Sequence, residues 1–420
     1  MNPTEITLAF LLFAVVMFVW EKIPLALTAM IVCIGLVLTG VLNANEAFGG
    51  FVNKNVILFV DMFIIGAAFF ETGMAQKVGG LVTRFAKSER QLVVAIMIIT
   101  GLMSGVLSNT GTAAVLIPVV IGLAAKTGFA RSKLLLPVVF AAAMGGNLSL
   151  IGAPGNMIAQ AELEKIGLGF GFFEYAHVGL PILVVGIIFF ATIGFKLLPD
   201  TGVGGHVKQT DNDFSDVPAW KSRMALGVLV LTIICMVFEK QIGIKLHISG
   251  AIGAMFLILT RVITEDQAYK SIDMKTIFLF GGTLALALAM QKTGAGELIA
   301  SNVLGQFGQD TSMFMVMFVI FMLAAIMTNF MSNTATTALL VPIGMSISAS
   351  IGADPRAVMM ATVIGGSLAY ATPIGMPANA MVLGPGGFKF KDYVVAGLPL
   401  IIVSTVVSMI LLPILYPFFP

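Results

Sequence analysis

Two Ser-Asn-Thr triplets, Ser108-Asn109-Thr110 and Ser332-Asn333-Thr334, are the residues of this chain best suited to holding a small ion or solute. Each sets two hydroxyls and a carboxamide between two apolar runs of helical length. At such a tip the first helix ends in carbonyls without intrahelical partners, and the second begins with free N–H groups. The carbonyls suit a desolvated cation, while the N–H groups and the positive helix end suit an anion. A lone hydroxyl residue in an apolar helix ordinarily bonds a nearby carbonyl and does nothing more. Duplication of the whole triplet argues for a use beyond that.

A second pair of motifs follows. Gly145-Gly146-Asn147, then Gly152-Ala153-Pro154-Gly155-Asn156, interrupt one apolar stretch. Gly365-Gly366-Ser367, then Ala371-Thr372-Pro373-Ile374-Gly375-Met376-Pro377-Ala378-Asn379, interrupt another. Glycine permits unwinding and proline lacks an N–H, so carbonyls are left exposed at both breaks. Asn156 and Asn379 can donate and accept, which suits them to organising each loop or touching a carboxylate. No Lys, Arg or His lies in either tip or either break. An anion there must be held by neutral donors, helix ends and bound cations, which points to coupled cation entry.

The elements that carry these motifs are membrane helices. Of 420 residues, 58% are hydrophobic and 10% charged, where a soluble domain carries roughly a quarter charged. Lipid must therefore be the solvent for much of the surface. Cys33 and Cys235 lie in apolar runs and support neither a disulfide nor a thiolate metal site. Three histidines make no metal cluster, and no basic patch suggests nucleic acid. Crossing-length runs occur at 4–19, 24–41, 55–74, 178–195, 221–238, 247–261, 276–291 and 394–416. The first reads as a crossing, since no cleavage signal follows it. Four regions, 91–125, 132–173, 313–349 and 357–388, are interrupted near their middles.

The interruptions repeat. Ser108-Asn109-Thr110 and Pro118 return at an offset of 224, Ile151 through Asn156 at 223, Thr72-Gly73 at 221, Gly145-Gly146 as Gly365-Gly366 at 220, and Tyr175 with Gly179-Leu180-Pro181 at 218. Landmarks kept in order at nearly constant offset indicate two copies of one unit. The expected organisation is a first repeat over 1–198, a linker over 199–220, and a second repeat over 221–420. The fold expected is an all-α polytopic membrane protein of two inverted-topology repeats. Each has five crossings, one re-entrant helical hairpin (91–125; 313–349) and one discontinuous helix (132–173; 357–388). On this topology 17 of the 23 Lys and Arg face one side, against Lys54, Lys165, Lys240, Lys245, Lys292 and Arg356 on the other. The positive-inside rule makes the richer side cytoplasmic and puts both termini outside. Repeats with broken helices place small-solute sites near the midplane.

Asp61 lies within a crossing and is a candidate for coupling, since an intramembrane acid is a functional hypothesis by default. Its counterpart in the second repeat is Gly282, outside the duplicated motifs. Glu21 and Glu71 read as interfacial. Segment 75–90, with Gln76, Lys77, Arg84 and Lys87 at helical spacing, reads as a surface helix. Trp20, Trp220, Tyr175 and Tyr393 read as interface anchors.

Twin Ser-Asn-Thr tips combined with Ile-Gly-x-Pro-x-Asn breaks make the chain resemble the divalent anion:sodium symporter family, the sodium-coupled dicarboxylate, citrate and sulfate carriers of the ion transporter superfamily. The resemblance covers most of the chain. It implies one sodium site around Ser108, Asn109, Gly146 and Gly152, and another around Ser332, Thr334, Gly366 and Ala371. It assigns substrate contacts to Asn109, Thr110, Ser332, Asn333, Thr334 and Pro377. It also implies a homodimer in the cell inner membrane, with helices near 4–41 and 221–261 as scaffold and the hairpins and broken helices as the moving part. Na+ would be the co-transported ion, with no organic cofactor. Ala153 and Met376 depart from the pattern, standing where relatives carry small hydroxyl residues. A sodium/proton antiporter or an oxyanion exporter of the same superfamily is the competing reading, favoured by Asp61. A membrane enzyme is disfavoured, because no His, Cys or carboxylate cluster suits catalysis.

Overall fold

The structure is a computed structural model that describes residues 2–20, 22–80, 88–202, 217–299 and 313–418. Those residues form helices and their connections, with no strand among them. Lipid offers backbone groups no hydrogen-bond partner, so apolar runs satisfy theirs internally as helices. Among the described residues seven helices are long and apolar enough to cross a membrane, and shorter apolar ones include Leu25–Leu38, Ala176–Ala191 and Leu246–Leu259. The chain is a multi-pass membrane protein. Expected positions that fall on Glu21, Arg84, Lys87, Lys208 and 203–216 of the linker lie outside the described residues.

One order of helices occurs twice. Pro3–Trp20, Leu25–Leu38 and Lys54–Glu71 precede a helical pair, Glu89–Ser104 with Asn109–Thr127, then a broken helix, Arg131–Gly145 with Pro154–Lys165, then Ala176–Ala191. Ala219–Val237, Leu246–Leu259 and Met274–Thr293 precede Met313–Met327 with Asn333–Ile351, then Pro355–Gly366 with Pro377–Gly386, then Phe390–Leu415. Packing between the halves is reciprocal. Lys54–Glu71 lies on Leu246–Leu259, as Met274–Thr293 lies on Leu25–Leu38. Pro154–Lys165 meets Asn333–Ile351, as Pro377–Gly386 meets Asn109–Thr127. Each half therefore completes the other, and neither buries its apolar faces alone.

Burial separates lining from core. Ile402, Val406, Ile410 and Ile414 recur every four residues on Phe390–Leu415 and are exposed, the stripe of a lipid-facing helix. Arg131–Gly145 is buried throughout except at Lys133, and Pro355–Gly366 from Ala357 onward. Helices apolar and buried all round belong at the centre. The first arms of the broken helices are thus held in the middle of the molecule. The first is shorter than its expected range, since helix ends at Lys165 and turns carry the chain to Tyr175.

Candidate functional site

Each tip is a short turn whose geometry is set by a cap. Ser108 accepts the Gly111 N–H at 3.1 Å and starts Asn109–Thr127; Ser332 accepts the Ala335 N–H at 3.2 Å and starts Asn333–Ile351. The serine of each triplet therefore uses its hydroxyl to stop one orphan donor. The asparagine and threonine sit in the first turn that follows.

Behind each asparagine stands a hydroxyl that the motifs alone did not single out. Ser104 Oγ donates to the Ala142 carbonyl at 2.6 Å and lies 2.7 Å from the Asn109 carboxamide. Thr328 Oγ1 lies 2.6 Å from the Gly366 carbonyl and 2.8 Å from Asn333 Oδ1. The corner of the Asn109 carboxamide that faces Ser104 is also 3.0 Å from Ala142 O and 3.1 Å from Gly152 O. A nitrogen at that corner donates among the three oxygens; an oxygen there joins them in a cage for a cation. Ser104 and Thr328 are 224 residues apart, like the triplets, and that spacing was the available signal.

The breaks are tied by their asparagines. Asn156 Nδ2 donates to Gly146 O at 2.9 Å and Ser149 O at 2.7 Å, while Asn379 Nδ2 donates to Ala369 O at 2.7 Å and Thr372 O at 2.9 Å. Both Oδ1 atoms are buried without a donor. Ser149 Oγ donates to Gly105 O, and Thr372 Oγ1 to Asn329 O, so each break is also tied to the turn of its own hairpin. In the second half Asn329 adds more, donating to Leu368 O at 3.0 Å and accepting the Ala371 N–H at 2.8 Å. Gly105 stands in its place in the first half.

Two expectations need correction. Gly145-Gly146 is not the structural counterpart of Gly365-Gly366. The bonds from Asn156 and Asn379 pair Gly146 with Ala369, and those from Ser104 and Thr328 pair Ala142 with Gly366. The cause is helix length: Arg131–Gly145 has 15 residues and Pro355–Gly366 has 12. Nor are Tyr175 and Tyr393 interface anchors. Both are fully buried, and their hydroxyls donate to the Asn156 and Asn379 carbonyls at 3.0 and 2.6 Å. They buttress the breaks from behind. Tyr393→Phe should accordingly lower the apparent melting temperature of the purified protein, by about 0.5–1.5 kcal/mol of stability for the one hydrogen bond lost. An interface tyrosine changed to phenylalanine leaves it nearly unmoved. Trp20 and Trp220 are exposed, as anchors are.

The halves meet at the tips. Met376 Sδ approaches the Asn109 carboxamide at 3.9 Å, and a Cβ on Gly155 would stand 2.6 Å from Thr337 Oγ1. Thr110, Ser332, Asn333 and Thr334 are half-buried, Pro377 is exposed, and Gly152 and Ala371 are buried. Asp61 lies elsewhere, in the seam between Lys54–Glu71 and Leu246–Leu259, where Gly250 leaves room for it: a Cβ there would stand 3.2 Å from Asp61 Oδ2. It is buried and makes no hydrogen bond or ion pair among the described residues.

The citrate transporter family model matches residues 15–365. The uncharacterized transporter YfbS of Escherichia coli is 23% identical, over 98% of this chain and 99% of that one. A sodium-dependent dicarboxylate transporter, SdcS of Staphylococcus saprophyticus, is 25% identical over 98% of this chain and 86% of its own. Among solved structures, the Alcanivorax borkumensis YdaH transporter shares the fold across 100% of both chains, with a TM-score of 0.67 at 15% identity.

Proposed function

The chain belongs to the citrate transporter family, and on that premise we propose that it is a secondary active transporter taking up C4 dicarboxylates or a similar divalent anion together with sodium, by alternating access. The observation that carries the reading is an oxygen cage directly behind a donor tip, with no basic side chain in either. At the second tip Asn333 Oδ1 faces Thr328 and the Gly366 carbonyl beyond it. Its Nδ2 therefore points the other way, toward the half-exposed face that Thr334 shares. A cation held by Oδ1 and the neighbouring oxygens locks the carboxamide in the orientation that offers its N–H groups to an anion. Binding of either ion then favours the other, and by linkage the effect is reciprocal. An anion without its cations leaves the carboxylate short of compensation.

We assign one sodium to the surroundings of Ser108, Asn109, Gly146 and Gly152, and another to those of Ser332, Thr334, Gly366 and Ala371, and add Ser104 and Thr328 to the two sets. The anion falls to Asn109, Thr110, Ser332, Asn333, Thr334 and Pro377, with Asn156 and Asn379 organising the breaks. The name of the Staphylococcus relative supports both the sodium and the dicarboxylate.

Sidedness has support in the ion pairs. Of the six cations expected outside, five are paired: Lys54 with Glu164, Lys165 with Glu162, Lys245 with Glu239, Lys292 with Glu46 and Arg356 with Glu174. Among the described cations expected inside, Lys133 alone is in an ion pair, with Glu89 and Asp200. Unpaired cations gathered on one face suit the anionic cytoplasmic leaflet. This supports inverted repeats in the inner membrane with both termini outside; we take the protein to act as a homodimer whose hairpins and broken helices move against the scaffold.

Proteoliposomes test the reading. Succinate uptake should rise with an inward sodium gradient and collapse when choline replaces sodium; uptake indifferent to sodium contradicts symport. Asp61 is the one observation favouring a proton-coupled antiporter or an exporter, because an unpaired buried carboxyl can take up and release a proton. Asp61→Asn abolishing a pH-driven ion flux in a protein that binds no organic anion would decide for that reading.

A further inference from the structure

We propose that Met376 is a selectivity-determining residue, whose thioether covers the first tip so that the site favours an unsubstituted C4 dicarboxylate over one bearing a hydroxyl or a third carboxylate. The inference deepens the transport reading and rests on it. Ala153 and Met376 hold one position in the two halves. Each precedes the proline that opens the second part of a broken helix, with φ −141, ψ 144 at Ala153 and φ −147, ψ 138 at Met376. Each also lends its carbonyl to the N–H of the asparagine three residues on, at 3.1 and 2.9 Å. The backbones match and the side chains do not.

The difference reaches the tips. Met376 is 3% exposed, and its Sδ lies 3.9 Å from Asn109, on the corner of the carboxamide turned away from Ser104. Asn109, enclosed between Met376 on one side and Ser104, Ala142 and Gly152 on the other, is 8% exposed, while Asn333 stays half-buried in a tip that packs on the helix following Ala153. The second tip also keeps the hydroxyls of Ser332 and Thr334 half-buried. One end of the site therefore offers an accessible carboxamide with its hydroxyls, and the other the Thr110 hydroxyl beside a carboxamide covered by a sulfur. A thioether donates no hydrogen bond and accepts weakly, but packs well against methylenes. A substrate hydroxyl or extra carboxylate facing it loses its water without a replacement partner.

The test is a thermal-shift titration of the full-length protein in sodium buffer with succinate, malate and citrate. Wild type should bind succinate more tightly than malate or citrate by about tenfold, and Met376→Thr, which supplies room and a hydroxyl, should bring the ratios to near one. Met376→Ser serves where threonine is not tolerated, and a ratio taken on one preparation is insensitive to the fraction folded. An unchanged succinate-to-malate ratio in the variants overturns the proposal and leaves the transport reading intact. A wild type that binds no dicarboxylate in sodium overturns both.

Discussion

Asn379→Asp should abolish transport while the protein still inserts and folds. The substitution keeps shape and size but removes the two N–H groups that bind the Ala369 and Thr372 carbonyls at 2.7 and 2.9 Å. Each carbonyl left buried without a donor costs about 1–3 kcal/mol, and an added carboxylate oxygen repels both. The second break then loses the tie across its own ends, and with it the placement of Ala371, Thr372 and Pro377. Uptake should fall by roughly a hundredfold or more, since every 1.4 kcal/mol is a factor of ten. Asn156→Asp should act likewise on the first break. Initial uptake rates in vesicles, normalised to protein recovered in the membrane, are the measurement. Near-normal uptake by either variant would show that the breaks do not depend on these amides.

The second large effect is expected at Thr328. Thr328→Val preserves volume and branching but removes the hydroxyl that lies between Asn333 Oδ1 and the Gly366 carbonyl. Half-saturation by sodium should rise about tenfold, the worth of one buried hydrogen bond of about 1.4 kcal/mol. Thr328→Ser should restore it, because the oxygen returns without the methyl. Ser104→Ala tests the equivalent place behind Asn109. A sodium dependence unmoved by the valine, with only a lower melting temperature, would assign Thr328 to packing alone.

Much of the arrangement was legible because duplication marks what composition hides. Hydropathy finds helices without saying which of them matter, whereas triplets and Pro-x-Asn breaks returning at nearly constant offsets single out four segments, and the structure packs those four together. The breaks' asparagines could be read for the same reason. What escaped depended on three-dimensional depth. A tyrosine near a helix end has the same sequence context in the headgroup region as in the core, so Tyr175 and Tyr393 could not be told from interface anchors. Hydroxyls in apolar helices usually bond their own backbone, and this made Ser104 and Thr328 look unremarked among many. The glycine register slipped because two adjacent glycines align by identity even when the helices leading to them differ in length. The approach of Met376 to Asn109 spans 267 residues and both halves, and no local pattern announces it.

The central claim is that neutral tips hold an anion only with borrowed cations. Its most direct test is the melting temperature of the purified protein across succinate, other dicarboxylates, citrate and sulfate, in sodium and in choline. A ligand that binds only the folded, sodium-loaded state raises stability in sodium alone, by about 2.7 kcal/mol at a hundred times its Kd. The account predicts a rise with a dicarboxylate in sodium and none in choline. Equal stabilisation in both buffers, or no anion effect in either, would contradict it.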